Sequence, residues 1–126
     1  MTPLVTGTDF VVVPTQDFDA SIAFYGDVLG LEPSQRYGKM PGQEFETGGV
    51  TLAILQIEAF GQEFRRNGGP IALRVDDVAQ AREELESRGV QFMGDIIDSG
   101  VCHQAFFADP DGNPLILHHR YAPPSR

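Results

Sequence analysis

Apolar and polar positions along this chain run through the same order twice. Phe10-Val11-Val12-Val13 opens one apolar run, and Pro70-Ile71-Ala72-Leu73 opens another about 60 residues later. Acidic residues follow each run, Asp17 and Asp19 in the first case and Asp76 and Asp77 in the second. Then come apolar positions at helical spacing and a glycine, Gly30 or Gly89. Setting residues 10–31 above 70–90 places Asp17 on Asp77 and Phe18 on Val78, and Leu29-Gly30-Leu31 meets Arg88-Gly89-Val90 after a one-residue slip. A unit longer than a solenoid repeat, present only twice, predicts two similar modules that build one shared structure.

The elements follow from local signals. Residues 9–15 are rich in valine and bounded by Pro14, which predicts a strand. A short carboxylate at Asp17 or Asp19 can accept from first-turn amides, so a helix is expected over 20–29. Its apolar face is Ile22, Tyr25, Val28 and Leu29, and Gly30 ends it. Residues 45–46 and 50–57 predict strands on either side of the Thr47-Gly48-Gly49 turn. Residues 58–69 hold Gly61, Arg65, Arg66, Asn67 and paired glycines, and read as the connection between a first module (about 7–57) and a second (about 70–120).

The second module begins with a strand over 70–75 and a helix over 79–88 that turns Val78, Ala81 and Leu85 inward. Strands are expected over 90–97, 103–108 and 113–119. Asp109-Pro110-Asp111-Gly112-Asn113 is a hairpin turn, since Pro110 presets φ and Gly112 or Asn113 can take positive φ. The tail 121–126 is expected to be loose. The pattern is βαβββ, twice.

Alternation assigns the faces. Val11, Val13, Leu52, Ile54, Ile71, Leu73, Val75, Leu115 and Leu117 are apolar and should lie under the helices. The opposite face carries Phe10, Val12, Thr51, Ala53, Leu55, Pro70, Ala72, Arg74, Pro114, Ile116 and His118. It is mixed in size and polarity, as a concave ligand surface is.

Composition narrows the partners. The chain has 126 residues, 41% hydrophobic, which is one domain with enough apolar material for a core. Its formal charge of −9 opposes binding to nucleic acid or anionic lipid, and no basic run offsets it. The first seven residues lack the charged and apolar regions of a secretory signal, and no apolar run approaches the roughly 20 residues of a membrane span. Cys102 is alone, so no intrachain disulfide forms. A cytoplasmic protein is expected.

The string Asp17-Phe18-Asp19-Ala20-Ser21-Ile22-Ala23-Phe24-Tyr25, followed by Val28-Leu29-Gly30-Leu31, resembles the vicinal oxygen chelate superfamily. The second half resembles it again through residues 71–77, 85–90 and Phe107-Ala108-Asp109-Pro110-Asp111-Gly112-Asn113-Pro114-Leu115. This superfamily includes glyoxalase I, extradiol dioxygenases, fosfomycin-resistance enzymes and bleomycin-resistance proteins. The resemblance implies an α+β fold in which two βαβββ modules form a curved mixed-sheet cup with helices outside. It also implies a homodimer. Family enzymes hold a divalent metal at four inward strand positions, and the resemblance puts these at Phe10, Ala53, Pro70 and Ile116. None of these side chains carries a donor atom, so no metal and no other cofactor is expected.

Other residues keep some chemistry in view. His118, two positions after Ile116, should share the cup face, and His103 on the preceding strand is expected near its mouth. Either imidazole could serve as a general acid or base. Arg74 could pair with a ligand acid, or with Glu44 or Glu46. Cys102 and His103 are adjacent on a strand and so point apart. Phe24, Phe45, Phe106 and Phe107 stand at core-like spacings, with one or two available to stack on a flat ligand. The expected lining is therefore Phe10, Val12, Ala53, Leu55, Ala72, Arg74, His103, Ile116 and His118. The function this favours is metal-independent binding of an apolar or aromatic small molecule, such as a drug or metabolite. The alternatives are a metal-dependent glyoxalase-, dioxygenase- or isomerase-like enzyme, a metal-free enzyme using His103 or His118, and an accessory module without a ligand.

Overall fold

In a computed structural model that describes residues 2–123, the polypeptide divides into two compact units between Arg65 and Arg66. The first unit runs β1 (Phe10–Thr15), α1 (Phe18–Ala23), β2 (Glu32–Arg36), β3 (Gly42–Glu46) and β4 (Thr51–Gln56). Asp17 is the cap of α1, its carboxylate accepting from the Ala20 amide at 3.2 Å. The helix does not stay regular to Gly30. At Phe24–Val28 it widens into a π turn, in which the Leu29 amide donates to the Phe24 carbonyl five residues back. A π turn is one extra residue accommodated within a helix. One residue more separates Asp17 from Gly30 than Asp77 from Gly89, so this turn accounts for the slip between the repeats.

The first sheet has the order β1-β4-β3-β2, with β1 and β4 parallel and the other pairs antiparallel. β2 has no apolar alternation to announce it. It is an exposed edge strand with Pro33 in it and a register shift between Pro33 and Arg36, features that discourage further strand pairing. Val13, Leu52, Ile54 and Phe45 are buried, with Phe18, Phe24 and Tyr25 from the helical segment. Gly26 has the Phe45 ring 3.3 Å from where a β-carbon would stand, so the helix approaches the sheet closely there. After β4, residues Ile57–Phe60 form a single 3₁₀ turn that ends on Gly61 at φ 84°.

The second unit runs β5 (Ile71–Arg74), α2 (Val78–Ser87), β6 (Phe92–Asp98), β7 (Cys102–Ala108) and β8 (Pro114–Arg120). Its sheet order, β5-β8-β7-β6, repeats that of the first, again with one parallel pair, β5 with β8. The Asp77 carboxylate caps α2 through the Gln80 amide at 3.0 Å, and Gly89 follows the helix at φ 93°. Leu115, Leu117, Ala105 and Phe107 are buried on the α2 side. Ile71, Leu73 and Val75 are half-buried, because β5 is an edge strand with a neighbour on one side only. Val11 is likewise 36% exposed on edge strand β1. Both units are α+β, and the helices differ from expectation by one or two residues at their ends. In the tail, the Tyr121 and Ala122 amides donate to the Val101 carbonyl, while residues 124–126 lie outside the described residues.

Candidate functional site

Residues paired across neighbouring strands share a face, so the registers define the surface opposite the helix in each unit. In the first unit one row is Val12, Ala53 and Glu44, and the next is Phe10, Thr51 and Glu46. Phe10 is 49% exposed, and Val12 and Leu55 are half-buried. Ala53 is fully buried: its single methyl stands between Val12 and Glu44 and offers no surface to a ligand.

Glu44 and Glu46 each have their own hydroxyl partners. Glu44 accepts from the Tyr37 hydroxyl, while Glu46 accepts from the Thr51 hydroxyl at 2.6 Å and from that of Ser34. The two hydroxyls hold the Glu46 carboxyl below the usual carboxylate range. Burial, reinforced by Glu44, pushes the Tyr37 phenol up to about 12.

In the second unit, Ala72, Ile116, Phe106 and Met93 make an apolar row across four strands. The adjacent row is Arg74, His118, Gln104 and Ile97. Phe106 and Gln104 extend this face beyond the expected lining, and two-residue alternation along β7 from Ala108, opposite Pro114, reaches both.

His103 requires a correction. It pairs with His119, not with His118, and so stands on the α2 side of the sheet, away from Ala72 and Ile116. There it lies 3.4 Å from the Asp98 carboxylate and stacks on Tyr121 at 4.8 Å between ring centroids, while the Tyr121 hydroxyl donates to Asp98 at 2.8 Å. The Gly100 amide, then Tyr121 and His103, hold the Asp98 carboxyl below the usual range. His119 Nδ1 is 3.1 Å from the Val75 carbonyl. A carbonyl only accepts, so Nδ1 carries the proton. His103, His119, Tyr121, Ile96, Asp76 and Asp77 line a cavity of about 380 Å³ beside the start of α2.

The donor set does not fit the metal of the family enzymes. Phe10, Ala53, Pro70 and Ile116 carry only carbon on their side chains. Among the described residues, no three His, Cys, Asp or Glu side chains stand together in a way that could hold a metal ion. Cys102 is buried, and no helix among the described residues is long and apolar enough to cross a membrane.

Solved structures share this architecture. A glyoxalase/bleomycin resistance protein/dioxygenase from Nocardioides is 26% identical with a TM-score of 0.74, over 100% of this chain and 91% of that one. A glyoxalase family protein from Bacillus anthracis reaches a TM-score of 0.79 at 22% identity, over 95% of this chain and 99% of that one. A lactoylglutathione lyase from Agrobacterium tumefaciens has a TM-score of 0.73 at 19% identity, over 92% and 95% of the two chains. No curated protein matches. The duplicated βαβββ order, with its parallel β1–β4 and β5–β8 pairs, agrees with the one family model that spans residues 7–117: the chain belongs to the Glyoxalase/Bleomycin resistance protein/Dioxygenase superfamily.

Proposed function

We propose that this chain binds a small, largely apolar molecule without a metal ion, on the sheet faces opposite its helices. The observation that carries this reading is the chemistry of Phe10, Ala53, Pro70 and Ile116, where family enzymes have metal donors and this chain has carbon. The accessible apolar groups of those faces, Phe10 and Val12 in one unit and Ala72, Phe106 and Ile116 in the other, suit an arene or aliphatic body. His118, Gln104 and Arg74 add a few polar groups for orientation. Sequestration of a drug or an aromatic metabolite is the physiological form of this function, and the working unit is a homodimer.

Native mass spectrometry of protein taken from cell extract tests the proposal, together with elemental analysis and a thermal-shift screen of aromatic compounds. The expected result is far less than one Zn, Fe, Mn or Ni per chain, with ligand-induced stabilisation that Ile116→Lys abolishes by placing a charge in the apolar row. A stoichiometric metal, or stabilisation unchanged in Ile116→Lys, sinks the reading.

The contact between Asp98 and His103 beside a cavity favours a second reading, acid–base chemistry at His103. A turnover whose pH profile is lost in His103→Gln would support it.

A further inference from the structure

Resting on the proposed binding function, we infer that the second unit takes an amphipathic carboxylate, with its acid group at Arg66 and its arene or acyl body along the apolar row of the sheet. Arg66, Asn67, Gly68, Met93, Ala108, Gly112 and Pro114 line a cavity of about 400 Å³. Met93, Ala108 and Pro114 lie on the face opposite α2, so this cavity continues the surface that carries Phe106 and Ile116.

The arginine is held there by a chain of contacts. The Asn67 amide donates to the Asn113 side-chain oxygen at 2.8 Å, and Asn113 is itself bound to buried Asp109. Gly112 adopts φ 88°, and the Arg66 side chain lies against it, with Cδ and Nη1 each 3.6 Å from where a β-carbon would stand. The stem is thereby laid along the turn beside the apolar floor.

Charge supplies the ligand class. The chain has 18 acidic residues and 9 basic ones. Arg65, Arg82 and Arg88 each have a carboxylate within 4 Å, while among the described residues Arg66 has none, like Arg36, Lys39, Arg74 and Arg120, and of these only Arg66 lines the cavity. A guanidinium beside an apolar cavity matches the two oxygens of a carboxylate through its planar fork. A dianionic phosphate is disfavoured by the net charge of −9 and by the absence of a second basic side chain in the cavity lining.

Length is consistent as well. From the Ala108–Pro114 pair through the Phe106–Ile116 row to the Gln104–His118 row is four residues along each strand. At about 3.4 Å per residue this spans roughly 14 Å, enough for a ring with a short chain or for a medium acyl chain. The Arg74 end of the strip then meets the ligand's far end or solvent.

Calorimetric titration of the full chain with cinnamate and octanoate, each against its carboxamide, tests the assignment. The wild type should bind the acids in preference to the amides. Arg66→Gln should weaken the acids by about tenfold or more and erase that preference, whereas Arg88→Gln, at the end of α2 and paired with Glu84, should change them less than about threefold. Acid binding that is unchanged in Arg66→Gln overturns the proposal. Acids and amides bound equally, and both lost in Ile116→Lys, overturn the carboxylate assignment while leaving apolar binding standing. Binding of neither class at millimolar concentration overturns this inference, and if the aromatic screen is also blank, the underlying function falls with it. A dimer that Met93→Lys dissociates, with no acid bound by either form, would mean that a second copy covers this face and would likewise overturn it.

Discussion

The Asp109 carboxylate and the Asn113 side-chain amide meet at 2.8 Å inside a turn that leaves these residues only 4% and 1% exposed. The other Asp109 oxygen accepts from the Asp111 and Asn113 amides, both at 2.9 Å, and Asn113 reaches across to the Asn67 amide. A turn that reads as a simple hairpin in the sequence is therefore also the anchor of the segment bearing Arg66. Asn113→Ala removes one hydrogen bond from the buried Asp109 carboxylate and one from the Asn67 amide. A loss of about 1.5–3 kcal/mol is expected in denaturant unfolding, the usual worth of a hydrogen bond to a charged group. The same variant should weaken carboxylate binding. An unchanged unfolding midpoint would show that the network contributes nothing to stability.

Tyr37 and Glu44 give a prediction for alkaline pH. Burial, with Glu44 next in importance, raises the Tyr37 phenol from 10.0 to about 12. The folded state favours the neutral phenol, so this contribution to stability is complete below pH 10 and is lost as the pH rises through about 12. Tyrosinate absorbance should show a step near pH 12 that Tyr37→Phe removes. Gly42→Ala would drive a methyl into the Tyr37 ring and against Leu55. It should cost about 1–3 kcal/mol and bring the step to lower pH as the ring is displaced. A step that survives Tyr37→Phe assigns it to another tyrosine.

Ser21 predicts a gain. Its side-chain oxygen is buried in α1 without a hydrogen-bond partner among the described residues. Removing an unsatisfied hydroxyl while improving helix propensity should make Ser21→Ala more stable by about 0.5–1.5 kcal/mol. Thermal unfolding reads this directly, and a lower midpoint would mean that the hydroxyl has a bound water.

The two faces of the second sheet can be separated by substitution. Leu117 is 2% exposed on the α2 side, and Leu117→Ala should cost about 2–5 kcal/mol. Ala72 is exposed on the other face, and Ala72→Ser should stay within about 0.5 kcal/mol. Equal losses in urea unfolding would contradict the assigned faces.

The sequence by itself determined what depends on neighbouring residues. Capping of each helix by a nearby aspartate, which the structure assigns to Asp17 rather than Asp19 and to Asp77, the glycine stops, the alternation of β4 and β8 and the Asp109–Asn113 turn are local properties of backbone sterics and short side chains. The duplication and, apart from β2, the order of elements followed from them, and the family resemblance then put its metal positions on four side chains of carbon. Even the face of His103 was open to reading. Once Ala108 pairs with Pro114, a residue five positions before Ala108 must point opposite to Ile116 and His118. The π turn was visible only as a slip in the repeat.

Tertiary structure alone decided the rest, because it depends on pairings between distant residues. Edge position left Val11 and Ile71 partly exposed despite their core-like pattern. Close neighbours on both adjacent strands buried Ala53. Polar β2 became a strand because β3 offered it a partner. Arg66 carries no signal at all in the connecting segment, and contacts such as the bond from Asn67 to Asn113, 46 residues away, set it beside an apolar floor.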